Sequence, residues 1–181
     1  FEAASELVSA ENGQEKEAAE RLAKLAVSGT SGYRLVALLQ GAALRAEMGD
    51  VKGALALYDS VSASQSDPLF RDYAQVRASI LIVDVESLDN IKKRLGSIAA
   101  GSGPWNVMAK EFLAYASWRS GKTEDALKLY AEVQAAPDAV AGSKRRALEM
   151  SSLIRGGLKV ADLAPATSPF AVPAGAAGPM L

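Results

Sequence analysis

The sequence predicts an all-α fold, a right-handed solenoid of about four helical hairpins followed by a C-terminal capping helix. The strongest observation is a pattern that occurs twice, at residues 49–61 and again 72 positions later at 121–133. Both copies carry Gly, Ala, Leu, Leu, Tyr and Val at the same offsets. Half of that spacing is close to the roughly 34-residue period of helix–turn–helix repeats. Weaker copies stand between and before them, so we expect tandem hairpins.

The weaker copies keep the apolar stripe of the pattern. Their residues are Ala18, Leu22 and Leu25 in the first hairpin and Ile91, Leu95 and Ile98 in the third. A small residue early in a helix permits close approach, and a large residue four positions later fills the space beside it. We therefore predict that Ala54, Tyr58, Ala126 and Tyr130 lie in the core.

Helix boundaries follow from caps and turns. Gly13, Gly49 and Gly121 suit the left-handed position that ends a helix, Asp67-Pro68 suits a helix start, and Ser87 is a predicted N-cap. Residues 79–85 are rich in β-branched side chains, as in a strand, but the repeat phase favours a helix. The predicted helices span 1–11, 14–27, 33–48, 51–62, 69–83, 88–99, 105–119, 124–135 and 139–156.

Composition restricts the chemistry of the chain. Lys plus Arg is 20 and Asp plus Glu is 21, so no net field attracts nucleic acid, and the short basic runs at 92–94 and 144–146 are predicted to be solvated helix faces. The sequence has no cysteine and no histidine, which removes thiolate chemistry, disulfides and the commonest general base and metal ligand. We therefore predict a protein that is not an enzyme and has no catalytic residues, no metal site and no cofactor.

The composition changes near residue 158. Residues 164–181 contain four of the seven prolines together with much Ala and Gly, which is typical of a tail. We predict a repeat domain at 1–157 and a Pro/Ala/Gly-rich tail at 158–181. The tail has apolar anchors at Phe170, Val172, Met180 and Leu181, and we expect these to dock in an apolar groove of this chain or of a neighbour.

The repeated pattern resembles the tetratricopeptide repeat family. Gly121, Ala126 and Tyr130 stand where that family has Gly between its helices and then Ala and an aromatic residue in the second helix. Val133 stands where Ala is usual, and Lys110 stands where the first helix usually has an aromatic residue. The resemblance extends in degenerate form to the end of the last predicted helix, and it implies a protein-binding solenoid.

The overall layout is also similar to that of the α-proteobacterial ancillary Sec translocon subunits, a tetratricopeptide-like family with one N-terminal membrane helix and a periplasmic repeat domain. This resemblance implies a periplasmic, inner-membrane-anchored accessory or chaperone-like factor whose partners are exported polypeptides and subunits of the translocon or of another membrane complex. The anchor would precede Phe1, which already opens on a helical pattern. The segments that carry the resemblance are Ser31-Gly32-Tyr33-Arg34, Ala54-Leu55-Ala56-Leu57-Tyr58-Asp59, Arg71-Asp72-Tyr73-Ala74, Leu81-Ile82-Val83-Asp84 and Ala116-Ser117-Trp118-Arg119-Ser120-Gly121.

The first helices of such hairpins line a concave groove, which is the predicted protein-binding site. An apolar groove suits an extended hydrophobic segment or a partner helix, although several of its residues are as well explained by ordinary packing between helices. Tyr115 and Trp118 lie three positions apart and should share one helix face. The predicted groove residues are Val36, Leu39, Tyr73, Val76, Ile80, Met108, Glu111, Tyr115, Trp118 and Arg119.

Two other functions stay open at this point. The chain could be a structural subunit or assembly factor that docks on a larger membrane protein complex, a reading favoured by its low-complexity tail. It could also be an enzyme on a helical scaffold, which the lack of His, Cys and metal motifs disfavours.

Overall fold

The computed structural model describes residues 15–64 and 66–162, and within them the chain forms α-helices and no strand. The all-α prediction is therefore confirmed for this part of the chain, whereas the predicted helix at 1–11 and the tail anchors Phe170, Val172, Met180 and Leu181 lie outside the described residues. The helices are α1 (Glu15–Ser28), α2 (Ser31–Glu47), α3 (Val51–Ser62), α4 (Pro68–Ile82), α5 (Leu88–Ala100), α6 (Asn106–Arg119), α7 (Thr123–Ala135) and α8 (Ala141–Arg155), followed by a 3-10 turn at Val160–Asp162.

The described residues fall into two compact units, 15–74 and 75–162, with the boundary inside α4. In the first unit α2 packs on both α1 and α3. Ala18 and Leu22 of α1 form a core cluster with Ala37 and Leu44 of α2. In this unit the central helix is thus covered on two sides by its neighbours in sequence.

In the second unit α6 takes the central place. It packs on α5 before it and on α7 after it, and α8 packs on α7 and also contacts α6. Most side chains of α6 from Val107 to Trp118 are buried, whichever way they point from the helix axis. Apolar residues occupy most of its circumference, as expected of a helix that neighbours cover on several sides, and Glu111 is a charged side chain buried among them.

The turns after α2 and α6 have the same geometry. Gly49 and Gly121 have φ of +79° and +76°, a conformation that glycine adopts without the steric cost of a Cβ. Each turn closes with two backbone hydrogen bonds, Gly49 N–H to Ala46 O (3.0 Å) with Asp50 N–H to Arg45 O (2.8 Å) in the first, and their counterparts 72 positions later in the second. This is the Schellman arrangement, and it confirms the predicted equivalence of the two turns.

The repeat phase also predicts which side chains are buried. Ala54 and Ala126 are fully buried, as are Tyr58 and Tyr130 four positions later in each helix. Val61 and Val133, three positions further on, are buried as well. The predicted core positions of the repeat are therefore confirmed in both copies.

Most predicted helix limits are confirmed within two residues. The β-branched segment 79–85 begins in α4, which continues to Ile82, so the helical interpretation is correct there. Asp67 Oδ1 accepts the Leu69 N–H (2.8 Å) at the start of α4, and Ser87 Oγ accepts the Asn90 N–H (3.3 Å) at the start of α5. Within the described residues, none of the helices has the length and hydrophobicity of a membrane span.

Candidate functional site

The predicted groove residues divide into two groups. Five are buried, namely Leu39, Val76, Glu111, Tyr115 and Trp118. The other five are at least partly accessible, namely Val36, Tyr73, Ile80, Met108 and Arg119. The expectation of an open apolar face is therefore wrong for Glu111, Tyr115 and Trp118 of α6, a helix on which α5, α7 and α8 pack. Whether the accessible residues bind protein stays a prediction.

Tyr115 and Trp118 do share one face of α6. Their ring centroids are 5.9 Å apart with the ring planes tilted by 44°, a spacing at which aromatic rings attract each other. The Tyr115 hydroxyl donates a hydrogen bond to Asp84 Oδ1 (2.6 Å), just beyond the end of α4. The pair that was expected to face a ligand is thus part of the packing of the second unit.

Arg119 lies one turn further along α6 and binds the same connector. Its guanidinium donates hydrogen bonds to the carbonyl oxygens of Val83 and Glu86. Val83 directly follows α4, where carbonyls lack partners within the helix, so the guanidinium satisfies an acceptor that would otherwise require water. Tyr115 and Arg119 together hold the α4–α5 connector against α6.

Glu111 forms the most buried ionic contact of the described residues. Its side chain is 1% exposed, and it accepts two hydrogen bonds from Arg146 of α8, from Nε to Oε1 (2.6 Å) and from Nη2 to Oε2 (3.0 Å). Arg146 Nη2 also donates to Ser143 Oγ (3.1 Å), and hydrogen bonding to the Glu111 carboxylate raises the pKa of Arg146. Such a two-point contact fixes the position of α8 on α6.

Tyr130 of α7 points its hydroxyl into this core. The hydroxyl is buried and has no hydrogen-bond partner among the described residues. Burial, and then the nearby Glu111 carboxylate, raise the pKa of Tyr130 far above that of an exposed tyrosine. The Tyr130 phenol therefore stays neutral beside the buried Glu111 carboxylate.

Large apolar side chains are accessible in the first unit. Tyr33 is 55% exposed on the first turns of α2, and Val36 stands three positions later on the same helix face. Leu69 and Phe70 are exposed on the first turn of α4. Of these four, sequence reasoning named only Val36 as a site residue. The sequence position of Leu69 and Phe70 could have indicated their exposure. They directly follow the polar connector and Pro68, so they lie on a first helical turn that has no preceding turn to cover it.

The described residues contain no group of three or more His, Cys, Asp or Glu side chains placed to hold a metal ion. Comparison of the chain with protein-family models, with curated proteins and with solved structures finds no match.

Proposed function

We propose that this chain is a non-catalytic protein-binding scaffold that holds apolar segments of other proteins. The observation that carries the proposal is the exposure of Tyr33, Val36, Leu69 and Phe70, two of them aromatic, at the starts of α2 and α4. Aromatic side chains are enriched at protein interfaces, where they bury a large area and lose little conformational entropy. Exposed aromatic and aliphatic side chains on two helices of the first unit therefore favour the binding of an apolar peptide.

The finer architecture belongs to the same proposal. We take the hairpins α2–α3 and α6–α7 as repeats of a degenerate, right-handed tetratricopeptide-like solenoid of about four hairpins, with α8 as its capping helix. The identical turns at Gly49 and Gly121 and the matched burial of Tyr58 and Tyr130 support this. Each such hairpin cannot cover its apolar stripe alone, so it needs a neighbouring hairpin.

The cellular setting rests on the sequence resemblance. We propose a periplasmic factor that is anchored in the inner membrane upstream of Phe1 and assists newly exported polypeptides near the Sec translocon. An unfolded exported polypeptide presents apolar segments, which the exposed side chains of α2 and α4 could cover until folding. The partners in this proposal are proteins, with no nucleic acid and no cofactor.

Aggregation of a urea-unfolded exported polypeptide on dilution tests the proposal. The parent protein should suppress light scattering at a stoichiometric ratio, and Tyr33→Ser/Phe70→Ser should lose most of that suppression. A matched control is Val27→Ser/Val51→Ser, which removes two other exposed apolar side chains of the same unit. If the parent does not suppress scattering, or if the control loses as much as the test variant, this function is rejected.

A further inference from the structure

The basic run Lys144-Arg145-Arg146 divides into three different environments on α8. Arg146 turns inward to Glu111, and Arg145 pairs with Glu149 one turn later (3.7 Å). Lys144 has no ion-pair partner among the described residues, and neither does Arg155 near the end of the same helix. Two cations of α8, the exposed Arg155 and the half-buried Lys144, are therefore without an internal counter-charge among the described residues.

These two cations lie on one line with an exposed leucine. Lys144, Leu148 and Arg155 occupy positions i, i+4 and i+11, which fall within about 40° of one another around an α-helix. Leu148 is 54% exposed, whereas Ala147, next to it in sequence, is fully buried. We call Lys144, Leu148 and Arg155 the basic stripe. It spans about 16 Å along the helix, and between Leu148 and Arg155 it borders Ser151, which is fully buried beside Gln134 of α7.

The segment that contains α8 differs in net charge from the whole chain. Residues 139–162 contain five basic and two acidic side chains, although the chain carries a net charge of −1. Glu149 pairs with Arg145, and Glu111 of α6 pairs with Arg146. Asp162 accepts only the neutral Lys159 N–H (2.8 Å) and keeps its charge, so the region retains an excess of two positive charges once Glu111 is included.

We propose that the basic stripe binds an acidic amphipathic segment of a partner protein, with a carboxylate on each side of an apolar side chain that covers Leu148. Charge complementarity selects this occupant. Residues 163–181 of the chain contain no Asp or Glu, so their side chains cannot neutralise the stripe. Residues 1–14 contain three Glu and no Lys or Arg, so their deletion should leave binding of the acidic probe unchanged; a gain in probe binding on deletion would mean that this segment, and not a partner, occupies the stripe. The stripe also lacks the broad apolar face of a membrane-surface helix, because the other exposed leucine of α8, Leu153, lies about 140° away around the helix.

The stripe is a second surface and does not depend on the function proposed for Tyr33 and Phe70. An exposed ion pair contributes little binding free energy. The two ion pairs that Lys144 and Arg155 would form with a partner therefore add selectivity and salt dependence more than affinity. Burial of Leu148 supplies the part of the binding energy that salt does not screen. Binding should therefore weaken as salt is raised, without disappearing.

A pair of designed peptides tests this inference by fluorescence anisotropy. The acidic probe is a helical peptide with Glu, Leu and Glu at positions i, i+7 and i+11 in an Ala/Gln background, which matches the stripe in antiparallel orientation. Lys144→Glu/Arg155→Glu should weaken its binding by about tenfold or more, and Leu148→Ser should also weaken it. A second probe with Lys in place of both Glu should bind the charge-reversed variant better than the parent.

The control variant Lys92→Glu/Lys93→Glu makes the same change of charge on exposed residues of α5. It should bind the acidic probe like the parent, as should Tyr33→Ser/Phe70→Ser, and far-UV circular dichroism should show all variants folded. The proposal is overturned if the parent does not bind the acidic probe or if the α5 control loses as much affinity as the stripe variant. It is also overturned if phosphatidylglycerol vesicles, but not the acidic probe, bind the parent in a stripe-dependent way.

Discussion

At the scale of single residues, two roles of polar side chains stand out. Some cap the ends of helices, and others are buried in the core without a hydrogen-bond partner among the described residues. Asp50 illustrates the first role. Its Oδ1 accepts the Gly53 N–H (2.9 Å) at the start of α3, and its Oδ2 accepts a hydrogen bond from Arg45 Nη1 (2.7 Å) at the end of α2. The hydrogen bond from Gly53, and then that from Arg45, hold the pKa of Asp50 below its ordinary value of 3.8.

This shift predicts a pH dependence. Because the pKa of Asp50 is lower in the folded than in the unfolded chain, its charge stabilises the fold above the ordinary value, and that contribution is lost as pH falls through the folded pKa. Urea denaturation of the parent and of Asp50→Asn should therefore show a stability difference at neutral pH that shrinks below pH 3.8. If the stability difference between the parent and Asp50→Asn stays constant down to acid unfolding, the pKa of Asp50 is not lowered in the folded protein.

Tyr130 illustrates the second role. Its buried hydroxyl has no hydrogen-bond partner among the described residues, so the phenol loses its hydration without compensation. We expect Tyr130→Phe to keep or raise the free energy of unfolding, by up to about 1 kcal/mol.

Tyr130→Leu is the matched control, because it also removes ring volume from a fully buried site and should destabilise the protein. Equilibrium denaturation measures both variants. A loss of more than about 1 kcal/mol for Tyr130→Phe would mean that the hydroxyl has a partner after all.

At the scale of helices, the contact between Glu111 and Arg146 joins α6 to α8, and its two ends differ in burial. The Glu111 side chain is 1% exposed and that of Arg146 is 38% exposed. Arg146→Leu leaves a buried carboxylate unpaired and should cost on the order of 2–3 kcal/mol of unfolding free energy. Glu111→Gln should cost less, because the Arg146 guanidinium can turn to water.

Two further variants complete this measurement. Arg145→Leu removes an exposed ion pair and should change stability by about 0.5 kcal/mol or less. Glu111→Leu/Arg146→Leu replaces the pair by apolar side chains and should regain most of the loss of the single Arg146 variant. If Arg146→Leu proves no more costly than Arg145→Leu, the contact does not hold α8.

The small residues at helix crossings give a second prediction at this scale. Ala126 is fully buried in α7, where α7 packs on α6 and α8. Ala126→Leu should overpack the site and lower the free energy of unfolding by about 1–3 kcal/mol. Ala131→Leu, at an exposed position of the same helix, should be nearly neutral in thermal unfolding. Equal stability of the parent and Ala126→Leu would refute the repeat phase.

At the scale of the whole molecule, composition makes the clearest prediction. The chain contains no His and no Cys, so the usual nitrogen and sulfur ligands of structural metals are missing. A chelator should therefore leave the thermal unfolding midpoint of the purified protein unchanged. A drop in Tm that added divalent metal reverses would reveal a site built from carboxylates and carbonyls.

The repeat spacing was sufficient to predict the helices, the glycine turns and the buried Ala, Tyr and Val positions. Those features are local, since they depend on which residues lie three or four apart and on whether a turn needs positive φ. Spacing could not tell that Tyr115 and Trp118 are interior residues of the second unit. A period shows which side chains share a helix face, but it does not count the helices that cover that face.

The candidate site also depends on which helix faces are covered by other helices. The apolar character of α2, α4 and α6 is visible in the sequence, yet α6 is enclosed by α5, α7 and α8 while Tyr33 and Phe70 stay accessible. Likewise, three adjacent basic residues of α8 look equivalent in sequence, but packing directs Arg146 to Glu111, whereas Lys144 is half-buried and forms no ion pair with the described residues. Burial is a property of neighbours that are distant in sequence, so only the packed helices assign these residues to the core or to the surface.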